Sequence, residues 1–535
     1  MKFTKLFSAI LITALFFASC KDSSKEGLVN AIPADASYVV YLNTQSMSEK
    51  SAYDIFQNIT VARGINLAKG MLNKKEAIDM LDGFTKNVNS LGLDIKGDCY
   101  FYTTDYNTFG FVFGVNDAEK IKTAFTDFSM AKEGDIQVKD GVYSFSPESD
   151  IVMSWDKSKF VIIVSTRFYG SDGKPDLKAL VAKQLAQKKD ESIHANPTFE
   201  KFLAGKKDIS VYYSYSNLTL FENIYGMDFP EEVKKEIEGL KGISTAMNVS
   251  FEKGEIKADN KVYYDTPQTE KKYKDLVAQL SGEIKGDQFK FVSDSSLFVL
   301  SANLKGAGIY SYLEKLGLSS YLQDEFKSEV FDVKALFEAV EGDLTFAVSK
   351  IAKVKKSFSY GSETVEYDST EPLISFFADV KDGKKITDIF STVSEQFAAT
   401  KVDDNTYCID SETYDVYFGV SNNMFYITND KTVFNNLQSD NLKNDYLSKV
   451  KGNSAVMTGN FKSLKQMIAD EDMGAKYSVL LNNGLDQLDS YFYKANKNVE
   501  GEGSLYFTDK SKNSFAVICQ YFDQVLTTFN DEFRF

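Results

Sequence analysis

Asp35-Ala36-Ser37-Tyr38-Val39-Val40-Tyr41-Leu42 is the stretch on which the fold turns, because it returns in altered form as Asp294-Ser295-Ser296-Leu297-Phe298-Val299-Leu300-Ser301. Each copy runs from an acidic, small-residue lead-in to aromatic and aliphatic residues of the kind that form strands. Further pairs follow in the same order. Gly97-Asp98 and Gly342-Asp343 each open an apolar run, residues 115–122 match 380–387, and 155–162 line up with 420–427. Later, 209–215 finds a partner in 454–460, and 248–251 in 504–507. Anchors that keep their order predict a tandem duplication, with repeats at 30–265 and 290–528 joined by a polar, Lys-rich connector at 266–289. Residues 529–535 are a tail, and the polar segment 350–371, extra to the second copy, reads as an inserted hairpin or loop.

Period-two alternation in 37–42 and 109–113 predicts half-buried strands. Helical spacing falls between strand groups: Ile386, Ile389, Phe390, Val393 and Phe397 share one face, as do Ile121, Ala124, Phe125 and Phe128, and Leu177, Leu180, Val181 and Leu185. Close-set strands joined by turn pairs such as Asp140-Gly141 favour an α+β fold, each repeat an antiparallel sheet with packed amphipathic helices.

The first 19 residues read as a signal peptide. Lys2 and Lys5 precede an apolar run from Leu6 to Phe17 that is too short to span a bilayer stably. Phe17-Ala18-Ser19-Cys20 places small residues before a cysteine, so Cys20 is expected to become the lipidated N-terminus, with 20–29 as a tether. The alternative is an ordinary secretory peptide cut near Ser19 that leaves Cys20 a free thiol. The formal charge of −15, made more negative by loss of both lysines, repels nucleic acid. Seven prolines and 14% aromatics in 535 residues predict ordered structure in two or more domains.

Ile32-Pro33-Ala34-Asp35-Ala36 before a strand, and Asn196-Pro197-Thr198-Phe199-Glu200-Lys201-Phe202-Leu203 upstream of another, resemble a family of large Bacteroidota lipoproteins catalogued only as a domain of unknown function. The resemblance implies an outer-membrane lipoprotein with no established reaction, so no catalytic residue is carried over. The acidic signal for surface export after the lipid cysteine is reduced here to Asp22 and Glu26, interrupted by Lys21 and Lys25, which leaves periplasmic and cell-surface orientations both open.

Chemistry-bearing residues are sparse. The single histidine, His194, sits in a polar loop, and no G-x-S-x-G elbow accompanies it. Ser129-Met130-Ala131-Lys132 and Ser448-Lys449-Val450-Lys451 fit S-x-x-K, and Ser439-Asp440-Asn441 fits S-D-N, but K-T-G is missing. Gly306-Ala307-Gly308 and Gly501-Glu502-Gly503 lack the third glycine of a dinucleotide loop. Asp403-Asp404 and Glu231-Glu232 read as a turn and a helix start. Cys99, Cys408 and Cys519 read as buried hydrophobes, with a Cys408–Cys519 bridge left open. No catalytic, cofactor or metal residues are assigned.

The expected function is a non-enzymatic scaffold or accessory subunit that binds another envelope protein. The alternative is glycan capture by Tyr212, Tyr213, Tyr215, Tyr100, Phe101 and Tyr102, weakened by the presence of one tryptophan, Trp155. Metabolic labelling with radioactive palmitate should mark the native chain and leave Cys20→Ala unlabelled. Equal labelling of both would refute lipidation at this position.

Overall fold

Alternating apolar runs become antiparallel ladders, and the 3.6-period segments become the helices that cover them; the fold is α+β. A computed structural model describes residues 27–71, 75–104, 108–128, 130–132, 134–165, 176–215, 230–325, 332–360, 363–396, 398–410, 415–437, 447–468 and 475–528. The export signal, Cys20 and the tail at 529–535 lie outside the described residues. The chain divides into two compact units: Met1–Phe229 with Ile237–Glu270 and Asp509–Phe535, and Pro230–Glu236 with Lys271–Thr508.

The strands of the first unit are β1 (Tyr38–Asn43), β2 (Leu93–Asp94), β3 (Asp98–Thr103), β4 (Thr108–Val115), β5 (Gln137–Lys139), β6 (Val142–Glu148), β7 (Ile151–Trp155), β8 (Lys159–Ser165), β9 (Ile209–Ser214), β10 (Ile243–Glu252) and β11 (Glu255–Tyr264). All pairs are antiparallel, in the order β5-β6-β7-β8-β4-β3-β1-β9-β10-β11, with the short β2 against β4. Asp140 and Gly141 both take positive φ, as the tight β5–β6 turn requires.

Side chains of one parity, among them Val39, Tyr41, Tyr102, Val112, Ile163 and Tyr212, form a core with helices Leu177–Ala186 and Pro197–Gly205. The second of these helices starts at the Asn196-Pro197 motif. Asn196 caps it by accepting from the Thr198 N–H at 3.0 Å, and Pro197 gives up only an N–H that would be unpaired there anyway. A second core gathers Trp155, Phe113, Phe160, Tyr143 and Phe145 under helices Lys75–Lys86 and Ala118–Asp127, the latter burying Ile121, Ala124 and Phe125 as its spacing predicts.

In the second unit the strands are β12 (Phe298–Lys305), β13 (Val340–Tyr360), β14 (Glu363–Val380), β15 (Thr400–Asp403), β16 (Thr406–Ile409), β17 (Val416–Ser421), β18 (Met424–Thr428), β19 (Ala455–Asn460), β20 (Leu488–Ala495) and β21 (Gly501–Phe507). Their order is β15-β16-β17-β18-β14-β13-β12-β19-β20-β21, again antiparallel throughout. Val299, Ala347, Phe377, Tyr426 and Val456 bury one sheet face with Phe289 and Val433. Helix Gly383–Gln396 begins where its spacing predicts, with Asp382 accepting from the Lys385 N–H at 3.1 Å. Ile386 is buried beneath it; of the other apolar residues on that face, the side chains of Ile389, Phe390 and Val393, and Phe397 itself, lie outside the described part.

Two segments differ from expectation. The connector carries a helix, Pro267–Leu280, in which Lys271 pairs with Asp275 one turn on and Val277 is buried. Helix Ser514–Thr528, expected in the second repeat, packs with the first unit. Phe515 and Cys519 bury against Met47 and Phe251, while Asp523 accepts from the Tyr53 hydroxyl at 2.6 Å and from Asn58 Nδ2 at 2.5 Å.

Phe199 is 0% exposed and lies 5.0 Å, ring to ring, from Tyr212. Phe199→Ala should cost about 3–5 kcal/mol in urea unfolding. Val40→Ala, on the opposite face of the same sheet, should cost no more than about 1 kcal/mol, since part of Val40 already meets solvent.

Candidate functional site

Gly97-Asp98 turns the chain into β3 and sets Asp98 opposite Asn43. The Asp98 carboxylate accepts from the Tyr41 hydroxyl at 2.8 Å and from Lys206 Nζ at 2.9 Å; the same ammonium lies 4.1 Å from the centre of the Tyr41 ring. Burial, then the Asp98 charge, raises the Tyr41 and Tyr100 phenols well above their ordinary range, so both stay protonated near neutrality. The cluster is charge-balanced and hydrogen-bonded within itself, which suits a strut better than a reacting group. Two further aspartates act alike. Asp208 accepts from Ser46 Oγ, Lys50 Nζ and the Phe251 N–H at 2.6, 2.6 and 2.7 Å. Asp343, 1% exposed, accepts from the N–H groups of Lys285 and Gly286 and from Asn303 Nδ2. The repeated Gly-Asp pair was the sequence signal for two of these three.

The residues singled out in the sequence are scattered. His194 lies in a short turn with Nδ1 against Glu200, and the hydroxyl of Ser192 in that turn donates to the Lys189 carbonyl. Asp403 accepts from the Asn405 N–H in a turn, and Asp404 pairs with Lys401, which lowers its carboxyl below the usual range. Glu231 and Glu232 occupy the first turn of helix Glu231–Glu238. Cβ atoms at Gly306 and Gly308 would strike the carbonyls of Phe337 and Gln279, so these glycines permit close backbone approach rather than cradle a phosphate. Gly501 and Gly503 are ladder positions in β21. Ser129 and 439–441 lie outside the described residues, as does the Ser448 side chain; Lys451 is exposed.

Cys99, Cys408 and Cys519 are free and buried, and burial pushes the Cys519 thiol up to about 12. Among the described residues no three His, Cys, Asp or Glu side chains converge as a metal would need. Trp155 is fully buried, and Tyr100, Tyr102 and Tyr212 belong to the core. Only Phe101, Tyr213 and Tyr215 remain partly open to a sugar, and the last two meet edge to face rather than as one platform.

The strands were expected to alternate, yet β1 and β8 carry apolar residues at both parities. One parity makes the core. The other forms an unbroken row across six strands: Ile162, Phe111, Phe101, Val40, Val211 and Met247. At about 4.8 Å per strand the row is roughly 24 Å long. All six are half-buried except Met247, which is 48% exposed. The second unit carries a row at the matching places, Ile427, Phe376, Phe346, Leu300, Met457 and Tyr493, with Leu300 43% exposed. Phe111 and Ile162 of the first row pack against the core that holds Phe113 and Phe160.

The second candidate is an arm. β13 pairs with β12 only as far as Val348, and β14 with β18 only from Ser375. Beyond these limits β13 and β14 pair with each other from Lys350↔Leu373 to Tyr360↔Glu363, and no further strand joins them among the described residues. At ~3.3 Å per residue this ribbon reaches about 33 Å. Val354, Val365 and Tyr367 stand at alternate positions of one parity, and the last two are 45% and 47% exposed; Lys353, Lys355, Glu366 and Asp368 occupy the other.

Residues 28–515 match a single family, described as Domain of unknown function (DUF4836). The chain belongs to that family. Two solved structures are similar over part of their length. Crystal form IV of TP0453 has a TM-score of 0.23 and 11% identity over 44% of this chain and 79% of that one. Crystal form III has 0.22 and 8% over 49% and 89%. No curated protein matches.

Because folding raises the Tyr41, Tyr100 and Tyr102 phenols, the stability tied to their protonated forms is complete below about pH 10 and is lost as pH climbs above it. An alkaline titration should therefore show these tyrosines ionising only together with loss of the circular dichroism signal. Tyrosinate absorbance that saturates while the fold persists would contradict this assignment.

Proposed function

We propose that this is a lipid-anchored protein of the bacterial outer membrane, of the Bacteroidota lipoprotein type, that works without catalysis as a scaffold or accessory subunit for another envelope protein. The observation that carries the reading is the arm of β13 and β14. A two-stranded ribbon is marginal in water on its own, and this one has long edges of backbone N–H and C=O groups. Such groups are best satisfied by an extended segment of another polypeptide, which supplies matching backbone hydrogen bonds.

We further propose that the two units arose by tandem duplication. Supporting it are two sheets with one strand order and two apolar rows at matching places. The arm is the main departure between them, since β3 reaches β4 through a short connection where β13 and β14 run on as a ribbon. The lipid anchor rests on Lys2, Lys5, the apolar run to Phe17 and Cys20.

The test is to replace 351–371 with a short turn, crosslink intact cells, and compare captured proteins by mass spectrometry. A stoichiometric partner of the native chain should fall at least tenfold with the shortened one, while expression and thermal melting hold. The same partners at the same yield, or none with either chain, would overturn the reading.

A further inference from the structure

The two edges of the arm differ in chemistry. Where β14 leaves β18, Asn429 closes its edge. The Asn429 N–H donates to the Ile374 carbonyl at 3.2 Å, Asn429 Oδ1 accepts from the Ile374 N–H at 2.6 Å, and Asn429 Nδ2 donates to the Pro372 carbonyl at 3.0 Å. Pro372 itself has no N–H to offer. Backbone groups at 372 and 374 therefore point to this edge. The ladder to β13 runs without a register shift from Leu373 to Glu363, and a strand turns its N–H and C=O to the same side at every second residue. Thr370, Asp368 and Glu366 thus present their backbone donors and acceptors to an edge that no strand joins among the described residues.

Side chains along the same stretch sort by parity. Glu366 and Asp368, both exposed, lie on one face, while Val365 and Tyr367, 45% and 47% exposed, lie on the other. A strand laid against β14 therefore meets carboxylates at the positions that share backbone hydrogen bonds, and apolar side chains at those between. Like charges directly opposite weaken such a pairing, and opposite charges support it. The strand that fits alternates Lys or Arg with apolar residues. A net charge of −15 draws in a basic segment and repels an acidic one. The β13 edge is the poorer template: it carries Lys350, Lys353 and Lys355, which discourage strand addition, and β13 already meets helix Phe461–Ile468.

We propose that the open edge of β14 between Glu363 and Thr370 takes one extended segment of another protein as an added antiparallel strand, and that this segment alternates apolar residues with Lys or Arg. The proposal rests on the reading of the arm as the element that holds a partner, and it assigns the edge and the chemistry. A second copy of the chain carries the right alternation in Lys353-Val354-Lys355 of its own β13, but bulk excludes it. Antiparallel addition of that strand would set two arms side by side, pointing the same way and about 10 Å apart. Each arm grows from strands inside a sheet that runs through β12 to β21 and is about 43 Å wide, so the two sheets would overlap.

The experiment titrates the full-length protein, in mild detergent, with fluorescent octapeptides and reads anisotropy. One peptide alternates valine with lysine, the other valine with glutamate. The lysine peptide should bind at least fivefold more tightly, with the gap narrowing at high salt. Methylating its lysine backbone nitrogens should abolish binding, because those are the groups that face β14, whereas methylating the valine nitrogens should leave it intact. Glu366→Lys combined with Asp368→Lys should reverse the order of the two peptides while the thermal melt is unchanged. Equal binding of both peptides, binding of neither, or an order that survives the double substitution would overturn the proposal. Native chain that self-associates and is dispersed by the peptide would overturn it too, in favour of a second copy. If shortening the arm still removes the cellular partner while the peptides show no preference, the basic strand fails and the arm reading stands. If the arm can be shortened without losing that partner, both fail.

Discussion

A strand that is apolar at both parities needs cover on two sides, and in the first unit each side of the sheet has a core of its own. β1 sets this constraint for the first unit. Val39 and Tyr41 take the side roofed by helices Leu177–Ala186 and Pro197–Gly205, which commits Tyr38, Val40 and Leu42 to the other. Since β3 and β9 flank β1 on its two sides, its parity is passed outward through the ladder to β4, β8 and β10. On that other side Leu42, Phe111 and Ile162 pack against the core under helices Lys75–Lys86 and Ala118–Asp127, and the row is half-buried along its length. β12 imposes the same division in the second unit, where Val299 is buried and Leu300 is 43% exposed.

Three aspartates gather donors from distant segments of the chain. Asp98 opens β3, Asp208 directly precedes β9 and Asp343 stands within β13 opposite Asn303, and each collects two or three donors. Removing one partner of a buried charge costs about 3–5 kcal/mol, so such groups are held in place by their neighbours and are poorly placed to exchange protons with a substrate. Some surface carboxylates pair with lysines, as Asp275 does with Lys271 and Asp404 with Lys401. Acidic residues are plentiful here, yet the interior ones are already occupied by architecture.

Much of the plan was legible in the sequence, and its failures have a common cause. The helix faces at Ile121, Ala124 and Phe125, the strands, the Asp140-Gly141 turn and a hairpin through 350–371 were all readable, because period 3.6 and positive φ leave local marks. Register left none. Aligning 35–42 with 294–301 sets Val40 against Val299, whereas the ladders set Val39 at the place of Val299, both buried. A shift of one residue moves every side chain to the other face, so the open row was invisible. Likewise 248–251 was paired with 504–507, although in the sheet β10 stands where β20 does and β11 where β21 does. Strands of similar composition cannot be told apart without knowing their neighbours. The Asp98–Tyr41–Lys206 cluster was missed for the same reason, since its members are joined only by pairing of distant segments.

The arm and the row differ in what they leave unsatisfied. Along the ribbon of β13 and β14 it is backbone: beyond Val348 and Ser375 no further strand joins either edge among the described residues, and lysines at 353 and 355 keep identical edges from stacking on one another. An extended peptide can satisfy those groups in order. Along Val40, Phe101 and Val211 every backbone group is already paired within the sheet, and only apolar area remains. A peptide laid there would lose hydrogen bonds to water and regain none. The two surfaces thus differ in kind: the ribbon offers backbone hydrogen bonds along its edges, and the row offers only apolar area.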